Sequence, residues 1–181
     1  MSNPVAPLWQ PTPESVASTQ MDQFRRRVND QHQQSLQDYS ALYQWSVDNR
    51  EAFWSELWDF GEVVASARGE RVLGKDTMPG AEWFPDARLN VAENLLRFRD
   101  DRVALIERLE NGSRRQLTYA QLFEKAEQLA SALVSVGVGK GDRVAGFMPN
   151  IIDTVVAMLA TTSLGAIWTS CSPDFGINGV L

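Results

Sequence analysis

The stretch from Thr118 to Gly137 constrains this chain more than any other, because it carries a start, a face and a stop for one helix. Thr118 with Gln121 three residues later has the form of a capping box, in which each residue satisfies a backbone N–H at the other's position. Leu122, Ala126, Leu129, Leu133 and Val136 then recur at the spacing of a single helical face. Gly137 follows as a stop, since glycine adopts the left-handed conformation that closes helices. A helix of this kind needs a surface on which to bury its face.

The flanking segments supply that surface. Residues 102–107 alternate weakly and read as a strand, Asn111-Gly112 offers the positive-φ pair of a tight hairpin turn, and residues 117–119 close the return strand. Beyond the helix, 137–142 is a turn and 143–148 reads as a buried strand. Asn150 is the predicted cap of a further helix running to Gly165, with Asp153 placed near its positive end. Residues 166–170 form the next strand, and Ser172 and Pro173 begin another helix. Strand alternating with helix predicts the α/β class, with a parallel sheet joined by right-handed crossovers.

Upstream the pattern changes. Residues 1–100 read as helical segments and irregular wrapping, with a boundary to the alternating region 101–181 near Arg99-Asp100-Asp101. Thr12 before Pro13 and Glu14 has the form of a helix start. A second helical patch carries Leu42, Trp45 and Val47, and a third, 50–60, places Phe53, Trp54, Leu57 and Trp58 on one broad apolar face. Four of the six tryptophans fall between positions 45 and 83, a stripe expected in a core or interface rather than in a base-stacking platform.

Composition removes several functions. With 44% hydrophobic and 22% charged residues the chain is built to fold, and a net charge of −6 argues against nucleic acid as a partner. The one basic run, Arg25-Arg26-Arg27, sits among acids and glutamines and reads as a solvated helix face. A single cysteine, Cys171, excludes an internal disulfide framework and fits a reducing cytoplasm. A single histidine, His32, leaves neither a metal cluster nor a Ser-His-Asp triad to assemble. Met1 to Pro13 lacks the basic and apolar regions of a secretory signal. Residues 151–171 approach the ~20 apolar residues a bilayer requires, but Asp153, Thr161-Thr162-Ser163 and Gly165 interrupt them. A buried helix and strand, with no membrane, is the better reading.

The glycine-rich turn 137–142 is not a phosphate cradle by position: it follows a helix and leads into a strand, the reverse of a nucleotide-binding loop. Cys171 has no neighbouring base to activate it and reads as a small buried residue at a strand end, and no Gly-x-Ser-x-Gly elbow surrounds Ser170 or Ser172. In open parallel sheets ligands gather beyond the carboxyl ends of the strands. Phe147-Met-Pro-Asn150 and Trp168-Thr-Ser-Cys-Ser172 are therefore the binding candidates.

Three runs of residues carry a family resemblance. Leu117-Thr-Tyr-Ala-Gln-Leu-Phe123, the stretch from Leu129 through Gly137-Val-Gly-Lys-Gly-Asp-Arg-Val144, and Met148-Pro-Asn150 resemble the opening of the adenylate-forming, or AMP-binding, enzymes. Trp83-Phe-Pro-Asp-Ala-Arg-Leu-Asn-Val-Ala-Glu-Asn-Leu-Leu96 resembles the segment joining the N-terminal cap to the main domain in short-chain acyl-CoA synthetases. Tyr43-Gln-Trp-Ser-Val47, Phe53-Trp54 and Cys171-Ser-Pro-Asp-Phe-Gly176 resemble the acetoacetate–CoA ligase branch. The resemblance covers about residues 7 to 181 and implies an N-terminal helical cap over 1–100 and the start of an AMP-binding domain, truncated, over 101–181.

It further implies an enzyme that makes an acyl-adenylate from a carboxylate, here acetoacetate, and ATP with Mg2+, then passes the acyl group to the thiol of CoA. The phosphate loop ending in Lys, the ribose-holding aspartate and the C-terminal lysine that such enzymes use do not occur here. The chain alone is thus expected to be inactive, to bind none of these cofactors tightly, and to depend on the remainder of the same polypeptide. By the same resemblance Trp168, Thr169 and Ser170 align with a strand end on the CoA side, although this sequence has Thr and Ser where the acetate enzymes have glycines. A fragment of an acetate- or propionate-type ligase, and a non-catalytic binding module, stay open as alternatives.

Overall fold

A computed structural model describes residues 7–180. The reading of Met1 to Pro13 therefore falls partly outside the described residues, as does Leu181. The chain forms two compact units, one made of residues up to Val63 together with Gly69–Asp86, the other of Val64–Arg68 together with residues from Ala87 onward.

The first unit is helical. Thr12 caps α1 (Pro13–Ala17) as predicted, its hydroxyl oxygen accepting from the Ser15 N–H at 3.2 Å. Thr19 caps α2 (Gln20–His32) and Asp38 caps α3 (Tyr39–Asp48) in the same way, each such cap contributing ~1 kcal/mol. Then comes α4 (Arg50–Phe60). Phe24 and Val28 from α2 and Leu42 and Trp45 from α3 form the core, closed by Phe53, Leu57 and Phe60 of α4. Phe24 meets Phe53 and Phe60 edge-on at 5.7 and 5.2 Å, the geometry that aromatic quadrupoles favour. Trp54 and Trp58 pack on Trp83 and Phe84 of the irregular stretch 69–86, so the tryptophan stripe belongs to the packing of this unit.

The basic run departs from its expected role. Arg25 pairs with Asp22 and donates to the Leu36 carbonyl, and Arg27 reaches Glu56 on α4 at 2.8 Å. Only Arg26 keeps half its side chain in water. The run braces α2 against its neighbours, because all three members reach acceptors on other segments, Arg26 through the Ala17 carbonyl at 2.9 Å. His32 lies 5.0 Å from the Trp45 ring, with Nε2 buried and 3.3 Å from Glu56 Oε1.

In the second unit α5 (Val91–Leu95) precedes β1 (Val103–Arg108) and β2 (Arg114–Thr118), which pair antiparallel. Their turn differs from the expected positive-φ pair. Gly112 alone is left-handed, at φ +82°, while the Asn111 side chain accepts from the Ser113 N–H. A connection this long is closed by one glycine and an Asn turn instead of two strained residues. The capping box on α6 (Tyr119–Ser135) forms as predicted, and Gly137 is left-handed beyond its end. Its apolar stripe fades along its length: Leu122 and Ala126 are buried, Leu129 and Leu133 half-buried, and Val136 is 77% exposed.

The expected parallel sheet is present as one pair, β3 (Arg143–Phe147) with β4 (Ile167–Cys171), joined through α7 (Ile152–Ser163). β1 stays outside it, because a short connection hands its hydrogen-bonding edge to β2. Neither β3 nor β4 is the buried strand expected. Gly146 is their one buried residue, since among the described residues each strand has one neighbour and one covered face. The last helix, α8 (Ile177–Val180), begins later than predicted, because Ser172 caps a turn onto Asp174 first. The core of this unit gathers Ala92, Leu96, Leu117, Leu122, Ala126, Ile152, Val156 and Leu159.

Two local contacts set the geometry of the strand ends. On the covered face of the parallel pair the Trp168 indole lies over Gly146, where an added Cβ would stand 2.5 Å from Cη2 and 2.8 Å from Cζ2. At the start of α7 the expected cap, Asn150, is not used. Ile151 occupies the cap position and offers no side-chain acceptor, so the Ile152 N–H donates instead to Glu107 Oε2 at 2.7 Å. Glu107 is 8% exposed and receives two further bonds, at 3.1 and 3.0 Å, from Arg115, its cross-strand partner. Arg115 in turn reaches Asp153 Oδ2 at 2.6 Å. The Arg115 guanidinium first, and the Ile152 N–H second, hold the Glu107 carboxyl below the usual glutamate range.

Gly146→Ala is expected to lower stability in urea unfolding by ~1–3 kcal/mol through overpacking, with the loss shrinking when Trp168→Leu is added. Because the Glu107 pKa is depressed on folding, its contribution is present above the unfolded value and is lost as pH falls through the folded one. The stability gap between the natural chain and Glu107→Gln should therefore be full at about pH 7 and narrow on acidification to about pH 3, read from urea midpoints along the series.

Candidate functional site

The parallel register ends with Phe147 opposite Cys171, so the chain leaves both strands at the same end. From there residues 148–151 run to α7 and residues 172–176 to α8. With the hairpin tip these two loops enclose a cleft of about 550 Å³, whose polar lining includes Arg108, Asn111, Asn150, Ser172 and Asp174. Both loops are internally stitched. Ser172 Oγ accepts from the Asp174 N–H at 3.2 Å and bonds the Asp174 carboxylate at 3.0 Å. Thr154 Oγ1 donates to the Pro149 carbonyl at 2.7 Å, holding the exit of β3 against the first turn of α7.

The three residues aligned with a CoA-side strand end do not converge. Strand periodicity places Trp168 and Ser170 on one face of β4 and Thr169 on the other. Trp168 is half-buried over Gly146, whereas Thr169 and Ser170 are exposed, and none of the three lines the cleft. Asn150 and Ser172, from the loops singled out by position, do line it. Cys171 is half-buried at the strand end, and the chain's one histidine belongs to the other unit.

The cleft's third wall, Arg108, Leu109, Glu110 and Asn111, carries no motif and was not legible as part of a site. Glu107, which fixes the exit of the loop 148–151, was missed for the same reason. Its one signal is a charged residue at an inward register position of a weakly alternating strand.

The glycine-rich turn 137–142 does not fit nucleotide phosphates. In the turn before β3 the Gly139 N–H donates to Asp142 Oδ2 at 2.8 Å and the Gly141 N–H to the Gly165 carbonyl at 3.0 Å, so these amides already have partners. Among the described residues no group of three or more His, Cys, Asp or Glu could hold a metal ion, and no helix is long and apolar enough to cross a membrane. The cleft offers amide, hydroxyl, carboxylate and guanidinium groups, which can orient a polar ligand.

Known proteins match both units. Residues 39–95 match the family described as acetyl-coenzyme A synthetase N-terminus, and residues 91–180 match the AMP-binding enzymes. Acetoacetyl-CoA synthetase of Xenopus tropicalis is 46% identical over 173 residues, covering 93% of this chain and 26% of that protein. Acetoacetyl-coenzyme A synthetase of Rhizobium meliloti (strain 1021) is 44% identical over 97% of this chain and 27% of its own length. Among solved structures, acetoacetyl-CoA synthetase from Streptomyces lividans superposes with a TM-score of 0.88 at 42% identity, over 97% of this chain and 28% of that one. The chain spans about a quarter of the length of the relatives it matches. With the capped helix, the parallel pair and the helical first unit all in place, the chain belongs to the AMP-binding enzyme family, where it corresponds to the N-terminal quarter of acetoacetyl-CoA synthetases.

Proposed function

We propose that this chain is the N-terminal part of an ATP- and Mg2+-dependent acid–thiol ligase that forms acetoacetyl-CoA from acetoacetate and CoA through an acyl-adenylate. The observation that carries the reading is a likeness above 40% identity to proteins of that name over more than nine-tenths of the chain, an alignment that takes in both units. Residues 1–100 serve as the cap and 101–181 as the start of the AMP-binding domain; a two-part division is supported by the two family models, which hand over somewhat earlier, at residues 91–95. Trp168, Thr169 and Ser170 stand on the CoA side. A single cysteine supports a cytoplasmic location.

ATP, when bound, supplies the adenylate that activates the carboxylate. No residue of this chain is assigned to that step, because its loop amides are engaged and its cleft lacks an anionic metal cluster. What the chain contributes is the wall of a ligand channel and the elements that hold it rigid. Binding geometry of this kind accounts for a large share of catalysis even where the reacting groups lie elsewhere. Acid and CoA are the small-molecule partners, and the rest of the polypeptide is the structural one.

Residues 1–181 alone are expected to give no acetoacetate-dependent exchange of pyrophosphate into ATP, and exchange above a blank would count against the reading. A chimera carrying residues 7–180 in place of the matched part of the Streptomyces lividans enzyme should release AMP with acetoacetate and CoA within about tenfold of its parent. A folded, soluble chimera without that activity would overturn the proposal.

A further inference from the structure

We propose that Glu107 is a positioning residue for the cleft at the strand ends, acting as the helix cap of α7 from a distant element. The inference rests on the ligase reading for its kinetic consequence and on geometry alone for the clamp. The loop 148–151 is short, and its exit into α7 lacks any side-chain acceptor of its own, since Ile151 sits at the cap position. Helix N-termini leave backbone N–H groups without partners, and an uncapped start frays. Here the Ile152 N–H is taken up by a carboxylate 45 positions away in sequence.

That carboxylate is itself held. The Arg115 guanidinium forks onto both its oxygens across the hairpin and also binds Asp153 in the first turn of α7. The hairpin is therefore tied to α7 by two bonds, one to its backbone and one to its side chain. The residues after Glu107, from Arg108 to Asn111, form the facing wall of the same cleft, and Asn150 and Ile151 form the wall that the clamp secures. The carboxylate ties these two walls to each other, while Thr154 separately holds Pro149, so removal of the carboxylate should widen the distribution of cleft shapes without touching the reacting atoms.

The clamp is tested on the 181-residue chain by amide hydrogen exchange. In Glu107→Ala the amides of residues 152–154 should lose protection while those of α6 keep theirs, and adding Ile151→Ser, which supplies a local cap, should restore much of it. Unchanged exchange at 152–154, or a loss spread evenly over the unit, would overturn the clamp. In the active chimera, Glu107→Ala should raise the KM for CoA about tenfold to a hundredfold with kcat nearly unchanged, and Ile151→Ser should recover part of it. An active chimera whose KM does not move, or whose kcat alone falls, would overturn the positioning role. An inactive parent chimera would instead count against the ligase reading, with the exchange experiment still deciding the clamp.

Discussion

A carboxylate shielded from water is tolerable only where donors converge on it, and the arrangement around Glu107 shows how much structure such a requirement can organise. Two N–H groups of Arg115 and the N–H of Ile152 meet its oxygens, and the cap position of α7 has no side-chain acceptor of its own. The hairpin must therefore stand in one register against α7, since a shift of one residue along β1 would turn Glu107 to the opposite face. The loop from β3 to α7 inherits that placement at its exit. A helix start, a hairpin and a cleft thus share a single electrostatic tie.

The same economy of donors explains why the molecule's most suggestive polar groups are not free for ligands. The turn amides of Gly139 and Gly141 close onto Asp142 and Gly165, Ser172 closes onto Asp174, and Arg27 closes onto Glu56. Each satisfies an acceptor within its own unit, as buried and half-buried polar groups do throughout folded proteins. What remains open in the cleft includes Arg108, Asn111 and Asn150, a set of orienting groups.

Legibility followed sequence distance. The Thr118–Gln121 capping box, the Thr12 cap and the span of α4 all came directly from neighbouring residues, because caps and amphipathic faces are encoded within one or two turns. The family likewise was legible, since its pattern is a contiguous helix, turn and strand. Asn150 misled, although it is a good capping residue, because a distant acceptor shifted the helix start by one position. The grouping of Trp168, Thr169 and Ser170 misled for a simpler reason: consecutive strand residues point to opposite faces.

By itself, then, the sequence determined the alternation of strand and helix after residue 101, where α1, α4 and α6 begin, and which family the chain joins, all properties carried by local spacing and residue type. Only the tertiary structure decided that Arg25 and Arg27 brace a core instead of facing water, and that Glu107 caps α7. Those outcomes turn on which donors and acceptors meet across tens of residues, and such meetings exist only once the elements have packed.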